Sequence, residues 1–303
     1  MRSVEEREAN RSALRSFVRT RNGYMEMRKA LEGRLGLKAD GTSKKDFVSN
    51  VPHGDRMVLE KHREAMLTNQ KGCEKDIKRL LKSEPLYTEW LKHIPGVDYM
   101  TTGYIIGEYS TDPQKLKTVS SMWQFAGLSN GLVKGRKKVG KGKKAKIVVT
   151  DTLIRGDRLA KGFISPFNQK LRSVLLGSTA DSMIKCAGTR QALCPYRKFY
   201  VDYKHRLESS DREVSHYGKM VPWKDVNKQH RHDAAKRYMI KMFLKDVYNV
   251  WLPMLGREPR PPFDEWKLGK EHHGDCSIPY YNGQDVSIDP SIIPDNSNCS
   301  LYV

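Results

Sequence analysis

Ile94–Leu128 reads IPGVDYMTTGYIIGEYSTDPQKLKTVSSMWQFAGL and holds the most specific pattern in the chain. Its Pro95-Gly96 pair ends regular structure, and the residues that follow predict the start of a new helix. Small residues at 101–103 would allow another element to approach this helix closely. A turn at 111–113 precedes a second apolar face. The pattern predicts a helix–turn–helix hairpin, whose exposed backbone amides could hold a phosphate.

The 303-residue chain is strongly basic, with a formal net charge of +20. Because neutralising phosphates releases condensed counterions, the simplest partner for such an excess is a polyanion. No apolar run approaches the roughly 18 residues that a bilayer span requires, and residues 1–15 hold no apolar segment of a secretory signal. We therefore expect no membrane partner. The five cysteines are odd in number and scattered, which is typical of free thiols in a reducing compartment and predicts a cytoplasmic protein.

Two regions precede Ile94. Residues 1–50 predict an N-terminal helical arm made of two short helices, the second over Tyr24–Leu35. Residues 51–93 hold a long helix, over 55–82, with a broken apolar stripe between charges of both signs. Such a helix packs against a partner, and two partners are open: a second copy in a dimerising coil, or a helix of the same chain. No buried strand ending in a carboxylate, as a Mg²⁺-dependent nuclease requires, is evident here.

The densest charge lies between Lys134 and Lys146, where eight of thirteen residues are basic and none is acidic. Interleaved glycines would let a phosphate chain approach the backbone closely. The sequence KIVVTDTLI at 146–154 has strand composition, so a basic β-hairpin is predicted as an insertion at 129–162. Such a segment is either a nucleic-acid contact or a solvated tip, and the charge of the whole chain favours the first.

Further helices are predicted beyond this insertion. Ser165 and Pro166 are typical of an N-cap and a first helical residue. Pro195–Leu207 mixes aromatic with basic side chains, which either stack on bases or form a core face. The strongest helical pattern covers 227–255 and carries a basic flank that we expect to meet nucleic acid. Residues 256–303 form a Pro/Gly-rich C-terminal extension, in which His272, His273 and Cys276 show no recognisable metal-ligand spacing. No metal or cofactor is predicted.

Basic residues, with one tyrosine, are therefore the predicted nucleic-acid contacts. They are Lys92, Lys134, Arg136, Lys137, Lys138, Lys141, Lys143, Lys144, Lys146, Arg155, Arg158, Lys161, Lys170, Arg172, Arg197, Lys198, Tyr200, Arg231 and Arg237.

Three landmarks occur in a fixed order: IPGVDYMTTGYIIGEY…QFAGL, KGFISPFNQKLRSVLLG and HRHDAAKRYMIKMFLKDVYNVW. They resemble the C-terminal half of the bridge-RNA-guided insertion-sequence transposases. The same region is similar to the Nop domain of box C/D ribonucleoproteins and to the Nop-like domain of Tas proteins, which work with tandem interspaced guide RNAs. The resemblance covers about residues 55–270. It implies a mainly α fold, with a Nop-like helical domain at 94–255, a coiled-coil-type dimerisation helix at 51–93 and the basic β-hairpin insertion.

Departures from the transposase pattern set the functional expectation. The transposases carry a nuclease-like domain ahead of the coil, and no candidate for its carboxylates is visible before Ile94. They also use a serine nucleophile, for which Ser165 and Ser129 are weak counterparts without an evident activating base. Asp98 stands where the transposases usually have a second glycine, and its carboxylate opposes close approach by a phosphate.

A stand-alone Tas protein is therefore the strongest resemblance. It implies a homodimer in a prokaryotic or phage-infected cell that binds a structured guide RNA and is directed to target DNA by base pairing, without its own nuclease activity. Two alternatives stay open. One is a serine-dependent transposase or recombinase acting on DNA, and the other is a basic structural RNA-binding protein.

Overall fold

The computed structural model describes residues 4–38, 40–45, 51–109, 116–129, 132–140, 145–155, 161–186, 194–216 and 218–260. Helices dominate this part of the chain, and its strands form two small two-stranded sheets. The predicted mainly α fold with a β-hairpin insertion is confirmed. The chain forms two compact units: the first comprises residues 1–88 and 98–175, and the second comprises residues 89–97 and 176–303.

The helices and strands follow one another in a simple order. The first unit holds α1 (Val4–Leu35), α2 (His53–Leu81), α3 (Tyr99–Tyr109), α4 (Val119–Phe125), β1 (Leu132–Val139), β2 (Lys146–Arg155) and α5 (Gln169–Ser173). A π-helix at Val174–Thr179 continues α5 and leads into α6 (Ala180–Lys185). The second unit holds α6, α7 (Arg197–Glu208), β3 (Glu213–His216), β4 (Lys219–Pro222) and α8 (Lys228–Met254). Helix α8 matches the helix predicted over 227–255.

The N-terminal arm differs from its prediction. We expected two short helices, but α1 is one helix of 32 residues that runs through Gly23. A glycine inside a helix costs roughly 0.5–1 kcal/mol relative to alanine, so one continuous helix requires stabilisation from elsewhere. Packing of α1 along α2 supplies the compensating stabilisation, and Leu14, Val18 and Leu35 on α1 are buried.

Helices α1 and α2 form an antiparallel pair within the chain. Ion pairs join Arg11 to Glu84 at 3.3 Å, Arg21 to Glu74 at 2.8 Å and Glu32 to Arg63 at 3.1 Å. Along these three pairs the residue number on α1 rises while the residue number of its partner falls, so the two helices run in opposite directions. The long helix therefore has a partner in its own chain, and its pairing with a second copy stays a prediction.

Helix α3 is enclosed along its whole length, and all residues from Met100 to Tyr109 are buried. Its small residues allow close packing on α1, as the sequence predicted. A Cβ on Gly103 would lie 3.1 Å from the Val18 side chain, and one on Gly107 would lie 3.0 Å from the Arg15 Cα. The buried Glu108 carboxylate accepts two hydrogen bonds from the Arg19 guanidinium, at 2.9 and 3.1 Å. Close backbone approach and this ion pair fix α3 against α1.

Asp98 has a structural role at the start of α3. Its carboxylate accepts a hydrogen bond of 2.7 Å from the Thr101 backbone N–H, which is the contact made by a helix N-cap. Its backbone carbonyl accepts from the Thr102 N–H at 3.1 Å. The aspartate side chain therefore satisfies one of the backbone donors at the start of the helix. Capping explains why this position holds a carboxylate and not a glycine.

The turn before α5 also differs from its prediction. We expected Ser165 to cap the helix with Pro166 as its first residue, but α5 begins at Gln169. Asn168 is the N-cap, and its side-chain oxygen accepts a hydrogen bond of 3.0 Å from the Leu171 N–H. Its amide nitrogen also donates to Glu108 at 3.0 Å. Because Asn168 can both cap α5 and contact α3, it takes the capping position three residues later than the local pattern suggests.

The second unit is built around α8. Phe243 lies in the core between two aromatic side chains, with its ring 6.3 Å from that of Trp90 and 5.3 Å from that of Tyr196. The Tyr196 hydroxyl donates a hydrogen bond of 2.7 Å to the buried carboxylate of Asp246. Burial raises the pKa of Asp246 to about 6. The core of this unit thus contains a carboxyl group that titrates close to neutral pH.

Candidate nucleic-acid interface

Strands β1 and β2 form an antiparallel ribbon, which we call the basic ribbon (residues 132–139 and 146–155). Its base is anchored in the first unit. Gly135 is buried against the Phe163 ring, and the Ile164 N–H donates a hydrogen bond of 2.6 Å to the Arg136 carbonyl. Ile154 is buried as well. The predicted β-hairpin is therefore present and is attached to the helical body through 163–164.

A bulge interrupts the ladder beside this anchor. Lys134 faces Leu153, whereas Arg136 faces Val149, so Gly135 alone faces three residues of β2. The Thr150 hydroxyl donates a hydrogen bond of 3.2 Å to the Gly135 carbonyl and satisfies part of the disrupted ladder. Bulges bend a strand pair and increase its twist. The outer part of the basic ribbon, beyond the Arg136–Val149 pair, is thereby set apart from its anchored base.

Five of the predicted contacts lie on the basic ribbon with exposed side chains: Lys134, Arg136, Lys137, Lys138 and Lys146. Lys134 pairs with the exposed Asp151 at 3.3 Å, and the Lys137 ammonium lies 4.4 Å from the centre of the Phe163 ring. Among the described residues no carboxylate forms an ion pair with the other three. The structure thus brings these cations together on one exposed element, as a contact with a polyanion requires.

Exposed aliphatic side chains on the basic ribbon were not anticipated as functional residues. Leu132, Val139, Ile147, Val148, Val149 and Leu153 are between 45% and 64% exposed. The described part of the chain has ten large apolar side chains this exposed, and six of them lie here. No signal in the sequence could have identified them, because strand composition with little alternation is equally typical of a strand buried by its neighbours.

The first unit holds further predicted contacts besides these five. Lys170 forms an exposed ion pair with Glu26 at 2.7 Å. The Arg172 guanidinium lies 5.4 Å from the centre of the Phe167 ring and is half-buried. Lys161 is exposed beyond β2. The predicted contacts Lys141, Lys143, Lys144 and Arg158 lie outside the described residues, as does the side chain of Arg155.

The second unit holds the remaining predicted contacts. Lys92 and Lys198 are exposed, whereas Arg197 and Arg237 are half-buried. Arg231 bonds the preceding turn, since its guanidinium donates to the carbonyls of Lys224 and Val226, both at 2.6 Å. These last contacts give Arg231 a role in holding the start of α8.

Tyr200 is buried, and its hydroxyl lies 2.7 Å from Nδ1 of His232. Burial also lowers the pKa of His232. Along the same seam the Tyr203 ring stacks on that of Tyr238, with 4.4 Å between the ring centres. The aromatic residues of α7 therefore contribute to packing between α7 and α8, which is the second of the two interpretations that the sequence left open.

The candidate nucleophiles are Ser165 and Ser129. The Ser165 hydroxyl donates to the Phe167 carbonyl at 2.8 Å and accepts from the Phe167 N–H at 3.4 Å, so its partners among the described residues are backbone atoms. Ser129 is half-buried beyond Leu128. Within the ranges that the structure covers, no group of three or more His, Cys, Asp or Glu side chains is placed to hold a metal ion. No helix among the described residues is long and apolar enough to span a bilayer.

Comparison with known proteins adds no assignment. The chain matches no model of a known protein family, and no curated protein is significantly similar to it. The features of this chain that indicate a function are therefore the landmark order in its sequence and the geometry of the basic ribbon.

Proposed function

We propose that this chain is a guide-RNA-binding protein that forms a ribonucleoprotein and is directed to DNA by base pairing, without nuclease activity of its own. The proposal includes a cytoplasmic homodimer. Its support from the sequence is the order of the three landmarks and the net charge of +20. In such a particle base pairing supplies specificity, so the protein needs to recognise mainly backbone and shape.

One structural observation carries the proposal, namely the exposed cluster of cations on the basic ribbon. Arg136, Lys138 and Lys146 are exposed and form no ion pair with a described carboxylate. Exposed cations that pair with no described carboxylate are suited to neutralising phosphates. They bind backbone irrespective of sequence, as the proposed function requires.

A charge-matched pair of variants tests this proposal. In the ribbon variant, Arg136, Lys137 and Lys138 are each replaced by Gln; in the control, the exposed residues Lys29, Lys185 and Lys219 are each replaced by Gln. Both variants lose three positive charges. We expect the full-length ribbon variant to bind nucleic acid, guide RNA or target DNA, several-fold more weakly than the control, because its lost charges are the ones that contact phosphate. Equal binding of both nucleic acids by the two variants would contradict the proposal.

A further inference from the structure

We infer that the basic ribbon takes double-stranded DNA and enters its major groove. The inference rests on the proposed function, since it requires the basic ribbon to be a nucleic-acid contact, and it goes further by naming the class of nucleic acid and the groove. Its starting point is the pairing of the strands. Beyond the bulge each facing pair joins one cation to one aliphatic residue: Arg136 with Val149, Lys137 with Val148, Lys138 with Ile147, and Lys146 with Val139.

Because facing side chains of an antiparallel pair lie on the same side of the ribbon, and successive pairs alternate, both sides carry the mixture. One side presents Arg136, Lys138, Ile147 and Val149, and the other presents Lys137, Val139, Lys146 and Val148. A segment that lies on a membrane surface separates an apolar side from a charged side. The basic ribbon has no such separation, so the distribution favours a partner that meets both sides with negative charge.

The composition of the basic ribbon argues against a single-stranded ligand. Proteins bind single strands by combining a cationic groove with aromatic side chains on which bases stack. The basic ribbon's two strands contain six Lys and Arg and one Asp, and they contain no Phe, Tyr, Trp or His. This segment can therefore neutralise phosphates but cannot provide a stacking surface, which favours a duplex whose bases are already stacked.

Dimensions and charge then distinguish between the two kinds of duplex. Paired strands lie about 4.8 Å apart, and the major groove of B-form DNA, about 12 Å wide, admits a two-stranded ribbon. The major groove of A-form RNA is too narrow and deep for side chains to read. Inside the DNA groove, cations on both sides of the ribbon would face the phosphates of the two walls.

Apolar contacts account for the exposed aliphatic residues. Ile147 is 64% exposed and Val149 is 57% exposed. Each faces an exposed cation on β1, Lys138 and Arg136 respectively. The floor of the major groove presents thymine methyl groups, with which apolar side chains make favourable contact. Thus β1 supplies most of the charge and β2 most of the apolar surface, and a groove with phosphate walls and a partly apolar floor accommodates both.

The test uses full-length protein as purified and three labelled probes of one sequence: a 20-base-pair DNA duplex, the corresponding RNA duplex and the DNA single strand. We expect the DNA duplex to bind most tightly.

Replacing Arg136 and Lys138 by Gln should reduce the salt slope for that duplex by about 1.8, since each lost phosphate contact contributes about 0.9. Replacing Ile147 and Val149 by Thr, which preserves β-branching, should weaken binding about tenfold with an unchanged slope. The variant of the opposite side, with Lys137→Gln and Val148→Thr, should lose affinity as well.

Groove placement has its own readout. Bound protein should protect guanine N7, which lies in the major groove, from methylation by dimethyl sulfate, while the minor-groove ligand netropsin should leave binding unchanged. Equal affinity for all three probes, displacement by netropsin, or loss of affinity from variants on one side only would overturn the inference. In those cases the proposed function would survive if the Gln variants still weaken every probe, and it would fail if they weaken none. If the Ile147→Thr and Val149→Thr pair lowers the oligomeric state without changing DNA affinity, a second copy of this chain is the partner and the inference is wrong.

Discussion

Gly96 lies against the backbone of Met183, and a Cβ placed on Gly96 would be 2.7 Å from the Met183 Cα and 2.7 Å from its nitrogen. Gly96 also has a φ of 86°, in the left-handed region that other residues rarely adopt. Two independent constraints therefore require glycine at the turn that opens the most specific sequence pattern of the chain. The pattern marks a tight packing contact with α6, and its next polar residue, Asp98, caps α3.

Replacing Gly96 by Ala should destabilise the protein by about 2–4 kcal/mol, because strain at positive φ adds to a backbone overlap that no side-chain rotation can relieve. Urea unfolding measures the change. Gly72→Ala in α2 is the matched control, since a Cβ there meets nothing within 4 Å and an alanine in a helix should be neutral or stabilising. Equal stability of the two variants would contradict the described turn.

The buried carboxyl group of Asp246 should make the free energy of unfolding depend on pH. Its pKa in the folded protein, about 6, lies above the 3.8 of the unfolded chain, because burial disfavours the charged carboxylate. The stabilisation from protonating Asp246 is therefore complete below about pH 4 and is lost as the pH rises through 6, a difference of about 3 kcal/mol.

Asp246→Asn removes this titration while leaving an oxygen that can accept from the Tyr196 hydroxyl. The free energy of unfolding of this variant, relative to the unmodified protein, should rise by about 2 kcal/mol between pH 4.5 and pH 8, because part of the loss has already occurred at pH 4.5. Urea unfolding at both pH values gives the comparison, in which titrations common to the two proteins cancel. A stability difference that does not vary with pH would show that Asp246 does not titrate as described.

Lysines of the segment that connects β1 to β2 provide a prediction from the sequence alone, because Lys141, Lys143 and Lys144 lie outside the described residues. Replacing all three by Gln should weaken nucleic-acid binding and reduce the salt slope by up to about three. Binding is measured by anisotropy between low and moderate salt. An unchanged slope would mean that this segment is solvated in the complex.

Local sequence patterns predicted the elements whose signal is contained in one segment. The apolar periodicity of 227–255 predicted α8, and the strand composition beside the glycine-rich basic run predicted the β-hairpin. The small residues at 101–103 predicted the close packing of α3. Features that depend on a distant partner were missed. Gly23 continues a helix because α2 packs beside it, and Asn168 replaces Ser165 as a cap because Asn168 also contacts Glu108.

At the candidate site, too, some side-chain roles were predictable from the local sequence and others were not. The cations of the basic ribbon could be identified from their density in the sequence. The burial of Tyr200 and the carbonyl contacts of Arg231 could not, because they depend on how α7 and the 223–226 turn meet α8. Exposure of Ile147, Val148 and Val149 was also not predictable, since the same composition is typical of a strand buried by neighbours.

The central claim is that this chain carries a guide RNA, and the most direct measurement is to sequence the RNA that co-purifies with the full-length protein. A guide-binding protein should retain a discrete small RNA with a recurrent structure, present at a fixed ratio to protein and stable in moderate salt. A heterogeneous mixture of cellular RNA would instead indicate a basic RNA-binding protein without a guide. Protein that purifies free of nucleic acid and binds no structured RNA in moderate salt would contradict the account.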